Sequence, residues 1–206
     1  MLRYLRDAAN MITAAGYLFC ALGLYLALNG RPELGIAAVL WAWFLDHWDG
    51  EVARRTQHAR PEDVARFGKS FDGFCDLIHG VLFPATVVLV ISDGWILSLL
   101  TVAALVLLGS VRLSYFSVAG LTETHRFSGL PVSYEMPLLA VLFLARPVIP
   151  EESFIVVVNV ALLVLAGLHV STIQVPAIRG AAVPIATVLA ICGSALLAAA
   201  DRGYFS

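Results

Sequence analysis

Apolar residues along this chain run on in long blocks instead of alternating or recurring on one helical face. The blocks occupy roughly 11–29, 33–54, 70–91, 95–117, 131–148, 153–173 and 181–200. Each approaches the ~20 residues with which a helix crosses about 30 Å of hydrocarbon. The pattern predicts an all-α polytopic transmembrane bundle of about seven spans, within a range of six to eight. The breaks carry turn chemistry: Asn29-Gly30-Arg31-Pro32, Ser92-Asp93-Gly94, Pro147 with Pro150, and Pro176 before Gly180. Pro131, Pro137, Pro147 and Pro150 crowd the fifth block, so its crossing is the least regular. Ahead of the first block, residues 2–9 mix Leu2, Tyr4 and Leu5 with Arg3, Arg6 and Asp7, which predicts a short amphipathic helix at the interface. No small-residue cleavage site follows, and the first block is read as a retained span.

Composition agrees and adds a limit. Of 206 residues, 60% are hydrophobic and 14% charged, and a mean hydropathy of +0.86 excludes an ordinary soluble domain. Residues 1–206 read as a single integral membrane domain, with no low-complexity stretch and no basic patch suited to nucleic acid. The net charge of −2 says little by itself, whereas the placement of the cations says more. With the N-terminus inside, Arg3, Arg6, Arg54, Arg55, Arg60, Arg66, Lys69, Arg112, Arg126 and Arg179 fall on the cytoplasmic side, against Arg31, Arg146 and Arg202 outside. That orientation puts residues 46–76 at the cytoplasmic face, and the expected location is the cell's inner membrane. Cys20, Cys75 and Cys192 share no metal or redox spacing and read as small packing residues.

Against this background the stretch 46–76, across the second and third spans, is costly. Asp46 and Asp49 are three apart, and Asp72 and Asp76 four apart, so each pair shares one face of its helix. A bare carboxylate at membrane depth costs on the order of 2.5 to 3.5 kcal/mol even on the lenient insertion scale. Four together require positive charge between them. Oxygen-only ligation without His or Cys at metal spacing favours hard cations, Mg²⁺ or Mn²⁺, and clustered carboxylates suit two of them. A dinuclear site for a phosphate-bearing substrate, at the cytoplasmic face, is the leading expectation. His47 lies inside this stretch but faces about 100° away from Asp46, His58 falls in a loop, His125 and His169 read as polar residues near span ends, and Trp41, Trp43, Phe44 and Trp48 as packing or lipid-facing aromatics.

The order Asp46-x-x-Asp49-Gly50-x-x-Ala53-Arg54 followed by Gly68-x-x-x-Asp72-x-x-x-Asp76 resembles the signature of the CDP-alcohol phosphotransferases, also called CDP-alcohol phosphatidyltransferases. These are integral membrane enzymes of phospholipid synthesis. The resemblance implies that Asp46, Asp49, Asp72 and Asp76 hold two divalent cations. It also implies that a CDP-linked lipid donor rests on them and that Asp76 deprotonates the acceptor hydroxyl. It assigns Gly50, Ala53, Arg54 and Gly68 to the CDP donor, and a homodimer is the family precedent. Gly50 and Gly68 would let ribose or cytosine approach the backbone, and Arg54 would meet phosphate with a forked pair of hydrogen bonds. Asn10-x-x-Thr13 is similar to a segment lining the nucleotide site in that family, although a helix N-cap explains it as well.

Further along, Pro84-Ala85, Arg112-Leu113-Ser114-Tyr115-Phe116, Gly129-Leu130-Pro131 and Val170-Ser171-Thr172-Ile173-Gln174-Val175-Pro176 look most like the phosphatidylserine synthase branch. The expected reaction is transfer of a phosphatidyl group from CDP-diacylglycerol to a small alcohol, L-serine first, with release of CMP. The chain departs from that pattern in three places. Thirteen residues separate Arg54 from Gly68 where the family commonly has eight or nine, Val132-Ser133-Tyr134-Glu135 follows Gly-Leu-Pro, and His79 stands where Ser is usual. Arg112 and Glu135 either bridge each other or hold the acceptor's carboxylate and ammonium. Other acceptors, or donation of a CDP-linked headgroup to diacylglycerol, remain alternatives of the same chemistry. A divalent-cation transporter is the alternative of another class, against which Gly50, Ala53, Arg54 and Gly68 weigh because a free ion has no use for them.

Overall fold

The computed structural model describes residues 1–92, 94–120, 122, 126–176 and 182–201; Asp93, His125, Arg179, Gly180 and Arg202 lie outside them. The architecture is all-α, 84% helical. Eight α-helical stretches follow in order: α1 (Ala8–Leu28), α2 (Pro32–Thr56), α3 (Glu62–Leu77), α4 (Phe83–Ile91), α5 (Ile96–Ala119), α6 (Glu135–Ala145), α7 (Glu151–His169) and α8 (Ala182–Asp201). A 3-10 turn at Leu2–Arg6 precedes α1, at the place where the amphipathic lead-in is expected.

Local sequence sets the ends. Asp7 caps α1 by accepting the Asn10 N–H at 3.1 Å. Gly30, at φ 76°, turns the chain, and Pro32 starts α2 with its missing N–H in the first turn, where none is needed. Pro61 with Glu62 and Asp63 opens α3, whose first turns are polar. The third helix therefore begins at Glu62 and not near residue 70, because a reading by apolar blocks finds only the part at membrane depth.

α3 and α4 are one 30-residue rod, Glu62–Ile91, joined by a π-helical turn at Ile78–Leu82. Pro84 has no N–H for the Gly80 carbonyl and its ring would crowd it. The turn widens just before that proline, and Phe83 N–H bonds to the Ile78 carbonyl instead.

Among the described residues, five helices are long and apolar enough to cross a bilayer: α1, the Glu62–Ile91 rod, α5, α7 and α8 from Pro184. Their outward faces carry exposed Leu18, Leu22, Leu99, Leu107 and Val164, as lipid contact requires, and the chain is an integral membrane protein. Of the seven expected spans, α2 and α6 are the two not in that set. α2 has 25 residues, ample for a crossing of roughly 37 Å, but its last three turns carry Asp46, Asp49, Glu51, Arg54 and Arg55. The site itself depresses its hydropathy. α6 has only 11 residues, extended by 3-10 turns at Val132–Tyr134 and Arg146–Val148. Of the prolines expected to disturb this block, Pro131, Pro147 and Pro150 lie at or beside those turns, and Pro137 sits in the first turn of α6, where no N–H is needed.

α2 runs through the middle of the bundle, packed along α1 and α8 and touching α6. Small residues bring α1 and α2 together: a side chain added at Gly23 would meet Val39 at 2.2 Å, and one at Gly35 the Gly23 carbonyl at 2.8 Å. Ion pairs gather at the two ends. Arg31 with Asp201 (2.6 Å) and Arg146 with Glu33 (2.7 Å) close one end, and Arg3 with Asp63 and Arg60 with Asp7 the other.

One element has no forerunner in the sequence reading. Arg126–Ser128 (β1) and Gln174–Pro176 (β2) pair antiparallel, with Phe127 opposite Val175. This two-stranded ribbon ties the loop after α5 to the loop after α7.

Candidate active site

Asp46 and Asp49 project from the inner half of α2, and Asp72 and Asp76 from α3. α1 sets their relative position. Tyr17 of α1 donates to the Phe71 carbonyl at 2.8 Å and stacks on the Phe71 ring at 4.6 Å, which fixes α3 next to Asp72. Thr13, one turn earlier, donates its hydroxyl to Asp49 Oδ2. One helix thus touches both acidic helices.

The four carboxylates do meet. Donor atoms of Asp46, Asp49 and Asp72 lie within 4.8 Å of one another, as do those of Asp46, Asp76 and His79. Asp46 belongs to both groups. Asp72 Oδ1 is buried without a hydrogen-bond partner among the described residues. An anionic oxygen left unbonded in a protein interior is strongly disfavoured, so the donor set fits cations placed among the carboxylates.

A cavity of about 230 Å³ opens on these acids. Gly50 and Arg54 continue its α2 wall, and Arg112, Phe116, Phe127 and Tyr134 face them from α5, β1 and the turn before α6. Gly50 is open to it, with only the Arg54 guanidinium, at 3.4 Å, near an added Cβ. Arg54 is held by Glu51 at 2.7 Å, and Arg55 leans on the same carboxylate but is 73% exposed.

Other residues assigned to the donor stand behind this wall. Asn10 is buried, its amide spent on the Tyr4 carbonyl and on Arg60. A Cβ at Gly68 would lie 2.5 Å from Asn10 Oδ1 and 2.9 Å from Arg60. The space that Gly68 leaves is therefore filled by protein. Thr13 is engaged by Asp49, and Ala53 does not reach the cavity.

Arg112 and Glu135 do not bridge each other. Arg112 is 4% exposed, donates Nε to the Leu130 carbonyl at 3.2 Å, and lies between the Phe116 and Phe127 rings at 5.5 and 5.6 Å. Its terminal nitrogens make no ion pair among the described residues, and the side chain lines the cavity. Glu135 is fully buried and bonded to His169 Nε2. His169 Nδ1 donates to the same Leu130 carbonyl at 2.9 Å. Glu135 thus sits one layer behind Arg112, facing His169 and not the cavity.

Two histidines gain weight in three dimensions. His47 lines the cavity and donates Nδ1 to the Trp43 carbonyl at 2.8 Å. His79, fully buried, puts Nε2 3.1 Å from Asp76 Oδ1 and 4.0 Å from Asp46 Oδ1. Its three-residue spacing from Asp76 was the available signal.

The sequence profile of the CDP-alcohol phosphatidyltransferases matches residues 6–203. The chain belongs to that family. It is therefore an enzyme of phospholipid synthesis that transfers a phosphatidyl group, with a CDP-linked donor, an alcohol acceptor and membrane lipids as its partners. The family uses divalent cations, in keeping with the clustered acids. Among the curated proteins none matches the chain.

Proposed function

We propose that this enzyme transfers the phosphatidyl group of CDP-diacylglycerol to L-serine, forming phosphatidylserine and releasing CMP, at the cytoplasmic face of the inner membrane and as a homodimer. The observation that carries the reading furthest is Arg112: a buried guanidinium with no ion pair among the described residues, lining the same 230 Å³ cavity as the four carboxylates. An acceptor carrying its own carboxylate suits that position, because a forked guanidinium binds a carboxylate with two parallel hydrogen bonds.

Asp46, Asp49, Asp72 and Asp76 would hold two divalent cations, Mg²⁺ or Mn²⁺, which when bound neutralise charge on the diphosphate and on departing CMP. Arg54, at the cavity rim, would take a diphosphate oxygen, and Gly50 leaves room beside it for the nucleotide. Asp76 would accept the proton of the serine hydroxyl as its oxygen forms the new P–O bond and the bond to CMP breaks. Acyl chains would enter from the lipid and serine from the water. Thr13 would act on the donor site from behind by holding Asp49, and Asn10 and Gly68 by seating α3. Glu135 would act through His169 and Leu130 on Arg112 and would not meet the acceptor's ammonium group.

The test is product identity. Purified enzyme is incubated with CDP-diacylglycerol, Mn²⁺ and a panel of serine, inositol, glycerol phosphate and ethanolamine, and with CDP-linked headgroups plus diacylglycerol. Mass spectrometry should find phosphatidylserine as the main lipid product. A different lipid product would replace serine while leaving the reaction class intact.

A further inference from the structure

His79 lies in the π-helical turn Ile78–Leu82 that joins α3 to α4, three residues beyond Asp76. It is 0% exposed, and neither ring nitrogen has a hydrogen-bond partner among the described residues. A buried imidazole with both nitrogens unbonded is disfavoured, since even the neutral ring has one donor and one acceptor to satisfy. Its Nε2 approaches Asp76 Oδ1 to 3.1 Å, an ion-pair distance, but off the line a hydrogen bond needs.

Among the described residues, the carboxylates alone define one group of donors, on Asp46, Asp49 and Asp72, and His79 completes a second with Asp46 and Asp76. Its separations fit a shared ion. Nε2 to Asp76 at 3.1 Å and Nε2 to Asp46 at 4.0 Å compare with about 3.0 Å for adjacent and about 4.2 Å for opposite ligands around an ion bonded at ~2.1 Å.

We propose that His79 is a metal ligand, donating Nε2 to the cation held by Asp46 and Asp76, so that the two cation sites of this enzyme are chemically unequal. The inference rests on the two-cation reading above. One site is all oxygen and suits Mg²⁺ or Mn²⁺; the other is mixed nitrogen and oxygen and leans toward Mn²⁺ and the later divalent transition ions, because imidazole strengthens binding along that series. The π turn supports the role mechanically. It rotates the residues after Ile78 relative to a continuous α-helix, and such turns often sit at functional positions. Gly80, whose added Cβ would meet Val132 at 2.8 Å, holds that turn against the segment before α6.

The experiment uses the full-length enzyme in lipid nanodiscs loaded with Mn²⁺ and read by pulsed electron paramagnetic resonance for directly bonded nitrogen. Wild type should show a ¹⁴N coupling that becomes ¹⁵N on labelling histidine. His79→Gln should lose it while still binding Mn²⁺, with affinity down at least the roughly tenfold that disturbing even an outer partner of a ligand costs. His47→Gln should keep it, and this variant decides the assignment should the buried His79→Gln fail to fold. A coupling that survives in His79→Gln, or vanishes in His47→Gln, overturns the proposal. Mn²⁺ bound without any nitrogen coupling, and released by Asp46→Asn, overturns it while sparing the carboxylate site. Absence of Mn²⁺ binding, or binding indifferent to Asp46→Asn, removes the two-cation reading and this inference with it.

Discussion

Arg60 closes a forked pair of hydrogen bonds on Asp7, Nη2 to Oδ1 at 2.7 Å and Nε to Oδ2 at 3.1 Å, across 53 residues of sequence. The same guanidinium reaches Asn10, which fills the hollow at Gly68. The loop between α2 and α3 is thereby pinned to the first turn of α1, with Tyr4 stacked on Phe67 at 4.7 Å alongside. Because α3 carries Asp72 and Asp76, this pin sets their approach to Asp46 and Asp49. Arg60→Ala leaves a mostly buried Asp7 carboxylate unpaired and should destabilise by about 1–3 kcal/mol. Arg60→Lys, which keeps the charge and loses the fork, should fall between. Melting temperature in detergent measures both; an unchanged Arg60→Ala would mean the pin does not hold α3.

Arg112→Ala should raise the apparent KM for the acceptor tenfold or more, the ~1.5–3 kcal/mol of a charged hydrogen bond, with the affinity for the CDP donor unchanged. Arg112→Lys should recover only part, because a point charge cannot fork. Weakened CDP-donor binding instead would move Arg112 to the diphosphate.

Gly129 sits at φ 78°, and an added Cβ would lie 2.1 Å from the His169 carbonyl oxygen. Its N–H bonds to Ile173, and Leu130, next in the chain, presents the carbonyl that both Arg112 and His169 use. Gly129→Ala should cost at least the ~1–3 kcal/mol of a strained backbone position and raise the acceptor KM in the same direction as Arg112→Ala. Wild-type stability and KM would show that the ribbon plays no part in placing Arg112.

Asp76→Asn removes the proton acceptor while retaining the shape of the side chain. Turnover should fall by the 10²–10⁴ typical of losing a general base, with CDP-donor binding measurable by calorimetry. Turnover near wild type would assign the base elsewhere.

Much of this was legible in the sequence, and the failures have physical causes. Asp46, Asp49, Asp72 and Asp76 announced themselves because charge at membrane depth is expensive, and their helical spacing placed each pair on one face. Arg112 stood out for the same reason. Sequence spacing could not tell which face of each helix would be filled by its neighbours. Gly50 and Gly68 look alike in one dimension, yet Gly50 opens to the cavity and Gly68 is packed by Asn10 and Arg60. Glu135 was expected to meet Arg112 or substrate, and a layer formed by His169 lies between. The β1–β2 ribbon was invisible because three-residue strands bring no periodicity. His79 hid inside an apolar block, where a single histidine reads as core until Asp46 and Asp76 are seen on either side.

The most direct measurement is release of CMP from CDP-diacylglycerol by the purified enzyme, with divalent cation and alcohol each added or withheld. CMP should appear only when Mn²⁺ or Mg²⁺ and the alcohol are both present, and Asp46→Asn and Asp72→Asn should abolish it. CMP formed equally with a chelator present, or metal crossing the membrane with no nucleotide consumed, would contradict catalysis at these four carboxylates.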